Sequence, residues 1–180
     1  PFFGTSVMER LLKHRESPIP DLPASASEVN AVFQRMLAKD PAQRFQSMDE
    51  AAAALATDHG VGVHVHVAEG PEDAEAVGRL APYAADDWLL VHGVHLPDDH
   101  GLRGTIVHNP RSNMNNAVGY ARPVRFANPV ALGTDGIGAD MLEEFRLAYA
   151  RLRESDVQAT PETPWSWLEA GRGLVPEAAE

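Results

Sequence analysis

Seven of the eight histidines in this 180-residue chain lie between His59 and His108, and the chain contains no cysteine. Neutral imidazole and carboxylate groups are ligands that suit Zn²⁺ and Fe²⁺. Histidine also titrates near neutral pH, which lets it transfer protons. The cluster therefore indicates metal binding or acid–base chemistry. The absence of cysteine excludes a disulfide framework and a thiol nucleophile.

Four short apolar runs in this part of the chain are typical of buried strands. Stretches with helical spacing follow the first and last of them, at residues 71–82 and from Met141 to Leu152. Strands that alternate with helices favour parallel βα units. The predicted strands are residues 61–67, 88–91, 104–107 and 130–133.

Side chains that can bind metals or move protons lie in the last part of each predicted strand or directly after it. Functional groups gather at the C-terminal ends of parallel strands, so we expect these side chains to meet. A single histidine beside a strand is more often a core residue. All four predicted strands, however, have such a side chain at the matching position, which favours a functional site. Asp135 could bind the metal and accept a proton from water, and Glu69 could pass a proton onward. The side chains in question are His64, His66, Glu69, His92, His95, His108, Asn109, Thr134 and Asp135.

Four motifs carry a family resemblance: HVAE at 66–69, LVHGVHL at 90–96, HNPRSN at 108–113 and LGTDG at 132–136. They resemble the amidohydrolase superfamily, in its chlorohydrolase and cytosine/guanine-deaminase-like branch. The stretch 108–119 is similar to SsnA-type aminohydrolases. In order and spacing the motifs match strands five to eight of that (β/α)8 barrel.

The resemblance implies an α/β fold, a partial (β/α)8 (TIM-type) barrel. It implies a metal-dependent hydrolase or deaminase that cleaves non-peptide C–N bonds of a small-molecule substrate with activated water. The metal ligands would be His66 and Asp135, with Asp135 also acting as base, and Glu69 and His92 would assist proton transfer. The cofactor would be a divalent metal, zinc rather than iron, with no nucleotide cofactor. The substrate-binding residues would be His108, Asn109 and Asn113.

The His64-Val65-His66 sequence allows a second interpretation. Residues two apart share one face of a strand, so His64 and His66 could chelate a metal together, as the family's first-strand His-x-His motif does. The Glu69 that follows matches the fifth strand better, and strands one to four are then missing. We prefer the fifth-strand interpretation, in which His64 and His95 are supporting or core residues.

Residues 1–57 differ in character, because they carry only one of the eleven net negative charges and both lysines. Apolar spacing predicts a helix that starts near Val7, a second from Ser25 to Asp40, and a third from Ser47 to about Ala56. The string LAKDPAQR at 37–44 resembles the end of the C-terminal lobe of bacterial serine/threonine kinases. That resemblance implies an all-α kinase fragment without any catalytic kinase motif.

We therefore expect three parts: the kinase-like helices 1–57, a half amidohydrolase barrel 58–155, and a Pro/Gly/acid-rich tail 156–180. The acidic charge argues against nucleic-acid binding. No membrane span or signal peptide is evident, so we expect a cytoplasmic protein. A half barrel has open edges, which predicts self-association.

The chain does not begin with methionine, so we expect a fragment. Two implied metal ligands and one further imidazole would form a weak metal site, so we also expect little or no turnover. One competing hypothesis is a truncated or misjoined, non-catalytic product. Another is a kinase remnant or a kinase-associated module.

Overall fold

The computed structural model describes residues 2–174, which divide into two compact units between Val61 and Gly62. The first unit is all-helical and contains α1 (Val7–Glu16), α2 (Asn30–Met36) and α3 (Met48–His59). Ser47 caps α3 by accepting a hydrogen bond from the main-chain N–H of Glu50 at 3.1 Å, as its sequence spacing predicts. Gly60 ends the helix with φ 62°, a conformation that favours glycine.

The prediction of one continuous second helix from Ser25 is wrong. Residues 24–29 form a 3₁₀ segment, and Ala26 leaves the helical region with φ −131° and ψ 20°. The Ser27 hydroxyl bonds back to the main-chain oxygen of Ala24, and Asn30 Oδ1 accepts from the main-chain N–H of Leu22. Such local side-chain bonds compete with helix formation, so α2 begins only at Asn30.

The second unit is built on a four-stranded parallel sheet in the order β1-β2-β3-β4. Each strand pairs with the next one along the chain, as in successive βα units. This arrangement confirms the predicted parallel α/β architecture and is consistent with part of a TIM-type barrel. The strands are β1 (His64–Val67), β2 (Leu89–His92), β3 (Thr105–His108) and β4 (Val130–Leu132).

Helical segments connect and cover the strands. The stretch predicted as a helix over 71–82 is instead a 3₁₀ segment, Pro71–Ala76, followed by the single turn α4 (Val77–Leu80). A short helix that the sequence analysis did not predict, α5 (Pro110–Asn115), follows β3 directly. Two longer helices, α6 (Met141–Ser155) and α7 (Glu162–Gly173), follow β4.

The core beside β4 is formed partly by α7, which lies in the stretch expected to be a Pro/Gly/acid-rich tail. Trp167 is 6% exposed and packs with Leu132, Ala148 and Leu152. A buried aromatic side chain contributes several kcal/mol to packing, which explains why this Pro-rich stretch is held in place. The last part of the expected tail, 175–180, lies outside the described residues.

The sheet has two edge strands, β1 and β4, and two of the four β1 residues are exposed. Unpaired strand edges are templates for pairing with another chain. Self-association therefore stays a prediction, to be checked by light scattering. None of the helices within residues 2–174 is long and apolar enough to span a membrane.

Replacing Asp140 by alanine is expected to destabilise the second unit by about 1 kcal/mol. The Asp140 carboxylate caps α6 by accepting from the main-chain N–H groups of Leu142 at 3.1 Å and Glu143 at 3.0 Å. All three tryptophans lie in this unit, so urea unfolding followed by tryptophan fluorescence measures its stability. Asp140→Asn retains a capping oxygen and should lose less. Equal stability of wild type and Asp140→Ala would contradict the expectation.

Candidate metal centre

Left-handed backbone turns follow three of the strands at the C-terminal edge of the sheet. Ala68 follows β1 with φ 48°, His92 ends β2 with φ 73°, and Asp135 comes three residues after β4 with φ 52°. Such a conformation costs a non-glycine residue about 1–2 kcal/mol. Strained residues of this kind cluster at functional sites, so the strain points to this edge of the sheet.

The turn at His92 explains how its side chain reaches the site. Val91 is the register partner of His66, so ordinary strand alternation would place His92 on the opposite face of the sheet from His66. The positive φ of His92 redirects the side chain at the strand end. The His66 and His92 rings are then 4.7 Å apart at 74°, on one side of the sheet.

Four of the predicted side chains come together here. Glu69 Oε2 lies 3.6 Å from His92 Nε2 and 4.0 Å from His66 Nδ1. Asp135 Oδ2 lies 4.0 Å from the same His92 nitrogen. The ligand atoms of His66, Glu69 and His92 are all within 4.8 Å of one another. Two imidazoles and two carboxylates thus converge, and His92 is at their centre.

The His92 ring is fully buried, and its two nitrogens have different surroundings. Nδ1 lies 2.8 Å from Asn113 Oδ1. Nε2 has no hydrogen-bond partner among the described residues, although it is buried. With the Asn113 amide in this orientation its oxygen accepts, which assigns the proton to Nδ1 and the lone pair that faces the carboxylates to Nε2.

The Asp135 carboxylate is held ionised. The hydroxyl of Ser112, itself fully buried, donates to Asp135 Oδ2 at 2.6 Å. This hydrogen bond is the main cause that lowers the pKa of Asp135 below its usual value, and the nearby His92 and His66 act in the same direction. Asp135 is therefore an anion at neutral pH and offers charged oxygens to a cation.

The three predicted substrate-binding residues are nearly inaccessible in this chain, at 1% exposed each. The centroid of the His108 ring lies 5.9 Å from that of Tyr120 and 6.2 Å from that of Trp167. Asn113 holds His92 rather than facing open space. Substrate binding by His108, Asn109 and Asn113 stays a prediction.

Ser112 and the ion pair of Arg111 with Glu144 were missed by the sequence analysis. Arg111 Nε donates to Glu144 Oε1 at 2.8 Å, and the Arg111 main-chain N–H donates to Glu144 Oε2 at 3.2 Å. The HNPRSN motif at 108–113 contained both Arg111 and Ser112, but no local signal points to partners 23 and 33 residues away. His64 lies outside the cluster that could hold a metal.

Comparison with known proteins identifies the family of this chain. The family model described as "Amidohydrolase family" matches residues 22–172. This chain belongs to the amidohydrolase family. The match contains both the sheet and the four clustered side chains, so the resemblance of the motifs at family level is confirmed.

Several curated relatives are deaminases. A 5-methylthioadenosine/S-adenosylhomocysteine deaminase of Shouchella clausii is 28% identical over 78% of this chain and 38% of its own length. An 8-oxoguanine deaminase of Pseudomonas aeruginosa is 31% identical over 67% of this chain and 32% of its own. A 5'-deoxyadenosine deaminase of Methanopyrus kandleri is 36% identical over 52% of this chain and 27% of its own length.

The chain spans between 27% and 38% of the length of these relatives. No solved structure gave a significant match. The expected kinase resemblance of residues 1–57 finds no support, because the amidohydrolase match already begins at residue 22 and includes most of that segment.

The donor set suits the divalent metal that the amidohydrolase family implies. His92 Nε2 is buried, has no hydrogen-bond partner in the part of the chain that the structure describes, and lies close to the His66 imidazole and the Glu69 carboxylate. Borderline divalent ions such as Zn²⁺ and Fe²⁺ prefer this mixture of nitrogen and oxygen. His66, Glu69 and His92 form the group that could hold such an ion, and Asp135 Oδ2 lies 4.0 Å from His92 Nε2.

Proposed function

We propose that this chain carries part of the metal-binding site of a deaminase that hydrolyses a C–N bond of an amino-substituted heterocycle. The observation that carries the proposal is the convergence of His66, Glu69, His92 and Asp135 at one edge of the parallel sheet. The names of the three relatives support the substrate class, since each is a deaminase of an adenosine or guanine compound.

A divalent ion bound there would act as a Lewis acid and lower the pKa of water. The chain's own residues supply the remaining parts. Asp135 is an anion at neutral pH, and the hydrogen bond from Ser112 lowers its pKa further. Glu69 lies 3.6 Å from the His92 lone pair and is 28% exposed, so it can exchange protons with solvent or with a leaving amine.

We expect the chain alone to turn over slowly. The His66 side chain is 55% exposed, so the described residues do not exclude water from the cluster. Electrostatic stabilisation is strongest where water is excluded. The resemblance of the four motifs also leads us to propose zinc as the metal in preference to iron. It places the chain, within this proposal, in the branch of cytosine/guanine-type deaminases.

Zinc is expected to stabilise the wild-type chain by about 2.7 kcal/mol when its free concentration is 100 times its dissociation constant. His66→Ala and Asp135→Asn should lose most of this stabilisation and most of the metal retained after purification. The measurements are elemental analysis and urea unfolding with and without zinc. An assay for ammonia release from adenosine and guanine compounds accompanies them.

His64→Ala is the matched control, because His64 is an exposed histidine on the same strand that lies outside the cluster. It should bind metal like wild type. Loss of metal in His64→Ala equal to that in His66→Ala would instead favour chelation by the His-x-His pair. Equal metal content in all four proteins would refute the site and favour the non-catalytic alternative.

A further inference from the structure

The short helix α5 directs two consecutive side chains at two different site residues. Ser112 donates to Asp135 Oδ2 at 2.6 Å, and Asn113 Oδ1 lies 2.8 Å from His92 Nδ1. A helix turns about 100° per residue, so neighbouring side chains point in different directions. That geometry lets one helix reach both the end of β2 and the loop after β4.

We propose that Ser112 and Asn113 are positioning residues that set the metal-binding forms of Asp135 and His92. The inference rests on the proposed function and deepens it. The Asn113 oxygen accepts the Nδ1 proton, so His92 keeps its Nε2 lone pair aimed at Glu69, 3.6 Å away. The Ser112 hydroxyl donates a hydrogen bond to Asp135 Oδ2 and so holds that carboxylate toward His92.

Burial protects both hydrogen bonds, Ser112–Asp135 and Asn113–His92, from competition by water. Ser112 is 0% exposed and Asn113 is 1% exposed, so water does not replace either partner readily. The two residues cannot shift easily, because the adjacent Arg111 ties α5 to the fully buried Glu144 through its side chain and its main-chain N–H. Partners of this kind orient metal ligands, and their loss typically weakens metal binding 10–100-fold.

The first test reads the His92 tautomer in the metal-free wild-type chain. Long-range ¹H–¹⁵N spectra of ¹⁵N-histidine-labelled protein, recorded near pH 8 where imidazole is neutral, distinguish a proton on Nδ1 from one on Nε2. His92→Asn assigns the signal. We expect the proton on Nδ1 in wild type and a mixed or Nε2–H population in Asn113→Ala. A wild-type proton on Nε2, which the reversed amide of Asn113 would produce, overturns the inference.

The second test measures zinc affinity by competition with a chromogenic chelator. Asn113→Ala and Ser112→Ala should bind zinc 10–100-fold more weakly than wild type. Asn113→Asp keeps an acceptor and Ser112→Thr keeps a hydroxyl, so both should recover much of the affinity. Alanine variants that fold like wild type and bind zinc equally well would overturn the inference.

The two tests separate failure of the inference from failure of the proposed function. Absence of zinc binding by wild type overturns the proposed function. The tautomer is read without metal and needs no destabilised variant, so it still decides whether Asn113 orients His92.

Discussion

Replacing Arg111 by methionine is expected to lower the free energy of unfolding of the second unit by about 3–5 kcal/mol. Glu144 is 0% exposed, and Arg111 Nε donates to its Oε1 at 2.8 Å. Methionine preserves much of the apolar stem but removes the charge. The Glu144 carboxylate would then remain buried without its counter-ion, which is the costly way to break such a pair.

The double variant Arg111→Met/Glu144→Leu should recover much of the loss, because both charges are removed together. Arg103→Met is the matched control on an exposed ion pair, with Arg103 64% and Asp86 86% exposed, and should change stability by less than about 1 kcal/mol. Urea unfolding followed by tryptophan fluorescence measures all three. An Arg111→Met chain as stable as wild type would show that the buried pair does not hold α5.

Acidification is expected to destabilise the second unit through His108. Burial lowers the pKa of His108 to about 3, and the positive Arg151 and the nearby His92 act in the same direction. Neither ring nitrogen has a hydrogen-bond partner among the described residues, so nothing offsets the cost of a buried charge. The unfolded chain binds a proton on this residue near pH 6.5.

The sign follows from the proton difference between the two states. Above about pH 6.5 both states hold a neutral His108, and its contribution to stability is complete. Between that pH and about 3 the unfolded state binds one more proton, so stability falls as the pH falls. The slope from one proton is about 1.4 kcal/mol per pH unit.

His108→Phe should remove this part of the pH dependence, because phenylalanine fills a similar space between Tyr120 and Trp167 and does not titrate. The measurement is the free energy of unfolding in urea at several pH values between about 4 and 7, within the window that the two pKa values set. The exposed His64 offers a control, since His64→Phe should keep the wild-type slope. Identical slopes in wild type and His108→Phe would contradict the expectation.

Several features of the site were predictable because they depend on local pattern. Short apolar runs bounded by polar residues predicted all four strands to within a few residues. Parallel strands carry their functional groups at one edge, which brought His66, Glu69, His92 and Asp135 under consideration together. The family resemblance implied a metal held by His66 and Asp135, and His66 belongs to the group of His66, Glu69 and His92 that could hold a metal in the structure.

Other features depended on contacts between distant parts of the chain. Strand alternation alone would direct His92 away from His66, and only its left-handed φ of 73° brings the two rings together. The helix α5 is too short to give a periodic signal, although it supplies Ser112 and Asn113. No local pattern distinguishes a His108 enclosed by aromatic rings from one that faces a pocket.

By itself the sequence determined the strand-and-helix alternation, the edge at which the polar groups gather, and the family to which the motifs at 66–69, 90–96, 108–113 and 132–136 point. Only the tertiary structure decided which atoms face one another: the lone pair of His92, the hydroxyl on Asp135 and the buried charge of Glu144. The physical reason is the sequence separation over which each kind of interaction acts. Periodicity reflects neighbours within a few residues, whereas hydrogen bonds across 21 to 33 residues exist only after the sheet and α6 bring their ends together.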